Sequence, residues 1–113
     1  MSDEIRKYLY DILEAIENVD VHLNHERNFN SYMSSLTIRR AIERELEIIG
    51  EATNRILKEA PEIQISYGRQ IVDLRNRVIH AYDAVDELII WKVINRDLPV
   101  LNNEVQKLLD SQY

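Results

Sequence analysis

Through most of this chain apolar residues recur every three or four positions, the period of a helix with one buried face. The first run, Ile5, Tyr8/Leu9, Ile12, Ile16 and Val19, predicts a helix that starts after Ser2 and ends near Asp20. Ser2 suits the N-cap, and Asp3 and Glu4 suit the positive end of the helix. Residues 21–34 are polar, with Phe29, Tyr32 and Met33 as anchors, and read as a connection holding a short helix. A second long helix opens near Ser35. Its stripe is Ile38, Ile42, Leu46, Ile49, Ala52 and Ile56, widened by Ala41, Ile48 and Leu57. It must stop before Pro61, because the residue preceding a proline is pushed out of the α region. A third helix is expected from about Gly68 to His80, with Ile71, Leu74 and Val78 inward. After a turn at 82–86, Asp86 caps a last helix whose inner side is Ile90, Ile94, Leu98, Leu101, Val105 and Leu108. Pro99 is expected to kink that helix by removing one hydrogen bond and clashing with the preceding turn.

These faces predict an all-α fold, an antiparallel four- to five-helix bundle in one domain spanning residues 1–113. Composition agrees, since 113 residues hold only two glycines and two prolines, too few for the turns of a sheet protein. Cysteine is absent, which excludes disulfides, thiolate metal sites and cysteine nucleophiles. No apolar run is long enough to cross a membrane, and the charged start lacks a signal peptide's apolar centre. A soluble, cytoplasmic protein is expected.

Charge narrows the partners. The net charge is −6, a poor match to generic phosphate-backbone binding. Yet residues 39–80 carry eight basic and seven acidic groups, and all the basic ones except Lys58 are arginine. An anionic substrate is therefore expected to meet the middle of the chain.

The densest polar cluster is there: Asp73-Leu74-Arg75-Asn76-Arg77-Val78-Ile79-His80-Ala81-Tyr82. Arginine offers a permanently charged fork matched to phosphate oxygens. Histidine can give or take a proton near neutral pH. Together they suit phosphodiester cleavage without a metal. On a regular helix Arg75 and His80 lie about 140° apart, so they converge only if the helix ends near His80 or a second copy completes the site. Asn76 and His80 share a face, so the amide can orient the imidazole. Arg77, four residues from Asp73, suits a surface ion pair. The alternative is structural: His80 can cap the helix's negative end, and Tyr82 can be a packed aromatic. His22, His25 and Glu26 sketch a metal site only if they are helical, and they lack a third convergent ligand. Trp91, Tyr8 and Tyr10 read as packing residues, and Arg39, Arg40 and Arg44, interleaved with glutamates, as a solvated face open to secondary phosphate contacts.

The string from Leu74 to Tyr82 resembles the R-x4-H-x-Y signature of the HepT-like HEPN family. Glu47-Ile48-Ile49-Gly50-Glu51-Ala52, Asp97-Leu98-Pro99 and the opening Tyr8–Ile16 resemble that family's other segments, in the same order. The resemblance implies a helical bundle that forms a homodimer, with R-x4-H motifs meeting at a cleft between subunits. It implies a metal-independent endoribonuclease, needing no cofactor, that acts on RNA such as tRNA or mRNA as the toxin of a toxin–antitoxin pair. Its antitoxin would be an MntA-like nucleotidyltransferase that adenylylates the motif tyrosine. Carried over by position, Arg75 and His80 are catalytic, Asn76 supports His80 and Tyr82 is modified; Glu51 and Arg77 are further candidates for contacts in the cleft. Ala81 stands where the family often has glycine, and Glu45 where asparagine is common. A second function class is a non-catalytic helical partner of a nucleotidyltransferase, which the net charge favours.

Overall fold

The computed structural model describes residues 1–65, 71–73 and 87–111. Helix α1 spans Asp3–His22, and the Ser2 side chain accepts a hydrogen bond from the Ile5 amide at 3.1 Å. Its inward residues are Ile5, Leu9, Ile12, Ala15, Ile16 and Val19, the stripe expected from the period. The helix runs two residues past Asp20. It ends where Asn24 and His25 take positive φ of 56° and 60°, and the His25 amide returns to the Asp20 carbonyl at 2.8 Å. A chain this poor in glycine makes its left-handed turn with an asparagine, which tolerates that region, and a histidine, which does so at some cost.

Helix α2, Phe29–Ser34, is capped by Asn28, and α3, Leu36–Glu59, by Ser35, whose hydroxyl accepts from the Ile38 amide at 3.2 Å. The helix α3 stops at Ala60, immediately before Pro61, as the proline requires. Residues 71–73 are helical, with Ile71 and Val72 buried; the rest of the expected third helix lies outside the described residues. Helix α4, Glu87–Lys92, continues through a π-helical turn at Val93–Asp97 into α5, Leu98–Asp110.

The disturbance expected at Pro99 takes the form of that π turn, just before the proline. Pro99 cannot donate to the carbonyl four residues back, and its ring crowds that turn. The helix widens by one residue just before it, and the Leu98 amide bonds to the Val93 carbonyl five residues back. The helical path thereby passes the proline. The wider turn also carries Asp97 into the interior at 2% exposure, where its carboxylate meets Arg96 Nε at 2.9 Å.

Helix α1 lies antiparallel to α3. Tyr8 and Asp11 line a groove with Ile48, Ala52 and Arg55, and His22, at the far end of α1, meets Glu45. It also runs antiparallel to α5, with Met1 near Leu108, and Ile16 and Val19 near Ile94 and Leu98. The core is one aliphatic cluster through these three helices, with Leu9, Ile12, Ile42, Ile49, Ile56, Leu101 and Val105 all at 0% exposure. On α5 Leu98, Leu101 and Val105 are buried as expected, and the last core position is Leu109, while Leu108 is half-buried. No helix among the described residues is long and apolar enough to cross a membrane.

Candidate functional site

The motif residues Arg75, Asn76, Arg77, His80 and Tyr82 lie outside the described residues. What is described is the frame on either side of them. Before the motif, Ile71 and Val72 are buried at 2% and 5% exposure, so the chain is seated in the bundle just ahead of Arg75. After it, the chain is described again at Glu87, the first residue of α4.

Glu87 is held from two directions. The Tyr32 hydroxyl of α2 donates to Glu87 Oε2, and Arg39 Nε of α3 lies 3.9 Å from Oε1. The Arg39 guanidinium also donates to the Met33 carbonyl at the end of α2. The Tyr32 ring is fully buried, 5.2 Å from Trp91 and 6.3 Å from Phe29 between centroids, and Phe29 meets Trp91 edge-on at 5.5 Å. Burial pushes the Tyr32 hydroxyl's pKa well above the usual phenol value, and the hydrogen bond to Glu87 adds to it. The group stays a neutral donor throughout the physiological range.

This cluster revises several expectations. Arg39 is not part of a solvated face: its side chain is 23% exposed and faces Glu87, whereas Arg40 and Arg44 are open at 69% and 66%. The glutamates beside them divide likewise. Glu43 is buried and accepts from Arg40 at 3.0 Å; Glu45 is buried and pairs with His22 Nε2 at 2.9 Å. Met33 is exposed rather than an anchor, and Tyr10 is 52% exposed rather than packed. Trp91 and Tyr8 do pack, although the Tyr8 hydroxyl reaches solvent and Glu4. His22 closes α1 while His25 sits in the left-handed turn, so the two do not share a helical face. Among the described residues no three His, Asp or Glu side chains are grouped to hold a metal ion.

Glu51 stands exposed on α3, 4.0 Å from Arg55. The two border a groove of about 230 Å³ between α1 and α3 that also includes Lys7 and Asp11. Lys7 is itself paired to Asp11 at 2.9 Å. Each cation there has a carboxylate beside it, so the groove lacks the unbalanced positive field that gathers phosphates. The signal missed in the sequence was Glu87. An acid at a helix start reads as a dipole partner, and only the fold brings Tyr32, 55 positions away, to its carboxylate.

The family comparison covers almost the whole chain: the HepT-like ribonuclease family matches residues 5–108. The chain belongs to the HepT-like ribonuclease family. Among curated relatives, "Probable ribonuclease HepT" of Thermococcus cleftensis is 36% identical over 91% of this chain and 94% of its own length. "Putative RNase MJ1380" of Methanocaldococcus jannaschii is 33% identical over the same shares. "Putative RNase TTE0752" of Caldanaerobacter subterraneus is 32% identical over 95% of this chain and 96% of its own. No solved structure matches the chain significantly. The helical bundle is thus that of a HEPN-type ribonuclease, and α1, α3 and α5 share the core of this HepT-like chain.

Proposed function

We propose that this HepT-like ribonuclease is a metal-independent endoribonuclease toxin in which Arg75 and His80 act at a cleft between two copies of the chain. The observation that carries the reading is the family match over residues 5–108 in a chain with an intact R-x4-H-x-Y string at 75–82. His80 takes the proton of a ribose 2′-hydroxyl; the 2′-oxygen attacks the adjacent phosphorus, and the bond to the 5′-oxygen breaks. The products are a 2′,3′-cyclic phosphate and a 5′-hydroxyl. Arg75 holds the non-bridging oxygens as negative charge builds on them. In-line cleavage also needs an acid for the leaving oxygen, and a two-fold axis supplies the second histidine. Asn76 orients His80, and Glu51 and Arg77 border the cleft.

The same reading assigns Tyr82 as the site of control. An MntA-like nucleotidyltransferase antitoxin joins the Tyr82 hydroxyl to the α-phosphorus of ATP and releases pyrophosphate. The added AMP puts bulk and negative charge two residues from His80, against the incoming RNA phosphate. The acidity of the chain supports a small cleft over a broad binding surface, since positive charge is concentrated between residues 39 and 80.

The test is cleavage and growth arrest with and without the antitoxin. Arg75→Ala and His80→Ala are expected to abolish both, and Tyr82→Phe to keep toxicity while resisting neutralisation. Intact mass after incubation with the transferase and ATP should rise by AMP in the parent and not in Tyr82→Phe. A stable complex with the transferase and no RNA cleavage would instead support a non-catalytic partner.

A further inference from the structure

Helix α1 has an outward face that the bundle does not use. Tyr10 and Val21 stand 52% and 50% exposed on it, and no other helix among the described residues exposes two large apolar side chains. Single exposed apolar residues are ordinary on a protein surface. These two are joined by position. At 3.6 residues per turn, Tyr10, Glu14, Glu17 and Val21 fall within about 60° of one another around the helix. They make one stripe about 16 Å long, with an apolar side chain at each end and two carboxylates between. The stripe stands between two grooves. Glu14 borders one of about 280 Å³ against α3, beside Asn18 and Ile48. Glu17 borders another of about 210 Å³ against α5, beside Asn102 and Pro99. A helix laid along the stripe has a ridge to straddle and a groove on either side for its flanking side chains.

Charge decides what that helix must carry. Besides His22, α1 holds six acidic and two basic residues. Asp11 is paired to Lys7 and Asp20 to Arg27, whereas neither Glu14 nor Glu17 has a cation in contact among the described residues. An anionic occupant, such as RNA, is repelled by this field. A second copy that set the same stripe across a two-fold axis would bring these carboxylates against their own counterparts. A basic occupant fits. Its lysines or arginines meet Glu14 and Glu17, its apolar side chains cover Val21, and the Tyr10 ring takes an apolar contact or a cation on its face. We propose that the stripe Tyr10, Glu14, Glu17 and Val21 is a docking surface for a basic, amphipathic helical segment of a partner protein. The apolar ends anchor that segment, and the two carboxylates select its charge.

The experiment follows the fluorescence anisotropy of two labelled synthetic helices as the purified full chain is added. One helix has leucines on one face flanked by lysines; the other has glutamate in place of every lysine. Two double variants touch the stripe: Glu14→Lys with Glu17→Lys, and Tyr10→Ser with Val21→Ser. All four positions are exposed, and far-UV circular dichroism confirms folding. A third, Glu62→Lys with Asp110→Lys, reverses as much charge at exposed positions elsewhere. The lysine helix is expected to bind the parent and the glutamate helix not to bind. Each stripe variant should weaken binding about tenfold or more, and the third variant should stay within about twofold of the parent. If one stripe variant does not fold, the other carries the test. No binding to the parent, a folded stripe variant within twofold of it, or an equal loss in the third variant would overturn the docking surface. So would sedimentation velocity in which the parent self-associates and Glu14→Lys with Glu17→Lys does not, since the face would then belong to a second copy.

Discussion

Along its middle and C-terminal half, α3 buries Leu46, Ile49, Ala52 and Ile56 in the aliphatic core it shares with α1. At its N-terminal end the same helix turns Arg39 toward Glu87 and Tyr32 and buries the Glu43 carboxylate against Arg40. The first region is held by the removal of apolar surface from water, which is strong and indifferent to orientation. The second is held by polar pairs whose worth depends on geometry and whose desolvation offsets much of their attraction. One helix thus joins a region built to be stable to a region built to be specific. The specific end is where α4 begins, at the close of the chain segment that carries the motif.

The largest effect that could break this contrast is a truncation in the aliphatic seam. Ile49 is fully buried, and Ile49→Ala should cost about 2–5 kcal/mol in a urea melt. Cleavage by the molecules that remain folded should be unchanged. A smaller loss, or a loss of turnover in folded protein, would erase the distinction between the two regions.

Tyr32→Phe is the matching change at the polar end. It keeps the ring packing and deletes one hydrogen bond to a carboxylate, a loss of about 1.5–3 kcal/mol at most. It also has a pH signature. The pKa of Tyr32 is raised on folding, so its contribution is fully present below the unfolded tyrosine value of about 10 and is lost as pH rises beyond it. The stability gap between parent and Tyr32→Phe should therefore be constant from pH 6 to 9 and shrink above pH 10. A gap that widened with pH would contradict the burial of a neutral phenol.

The smallest effect sharpens the contrast from the other side. Thr53 sits at 0% exposure on the inner face of α3, and its hydroxyl has no hydrogen-bond partner among the described residues. Thr53→Val removes that orphaned group at nearly constant volume and should raise stability by about 1 kcal/mol. A destabilised valine variant would mean that the seam is less purely apolar than its packing implies.

Helices α1 and α3 were legible because each rests on local rules. Ser2 and Ser35 accept the amide bonds expected of caps, and Pro61 ends α3 where a proline must. The stripes of α1 and α3 were readable for the same reason, since a period is a property of the sequence. What was not legible depends on contacts distant in sequence. Nothing local tells that Arg39 turns inward while Arg40 and Arg44 stay in water, because a helix surface of alternating charges looks alike on both sides. The burial of Glu45 needs His22 from another helix, and Glu87 needs Tyr32. The π turn was missed for a subtler reason. A proline's missing amide sets a demand on the helix, but the π turn that accompanies it depends on packing, here with Val93, Ile94 and Asp97 turned inward. The string from Arg75 to Tyr82 was visible as a cluster of chemistry, and the catalytic role proposed for it came from a resemblance over nearly the whole chain.

The central claim is that Arg75 and His80 cleave RNA without a metal ion. Its most direct test is cleavage of a labelled oligoribonucleotide by purified parent and His80→Ala protein in excess EDTA, with end-group analysis of the products. The account predicts that the parent remains active in the chelator and leaves a cyclic phosphate and a 5′-hydroxyl. It also predicts that folded His80→Ala loses about 10²–10⁴-fold in rate, the range of a general acid–base group. Cleavage abolished by EDTA, or a histidine variant as active as the parent, would contradict it.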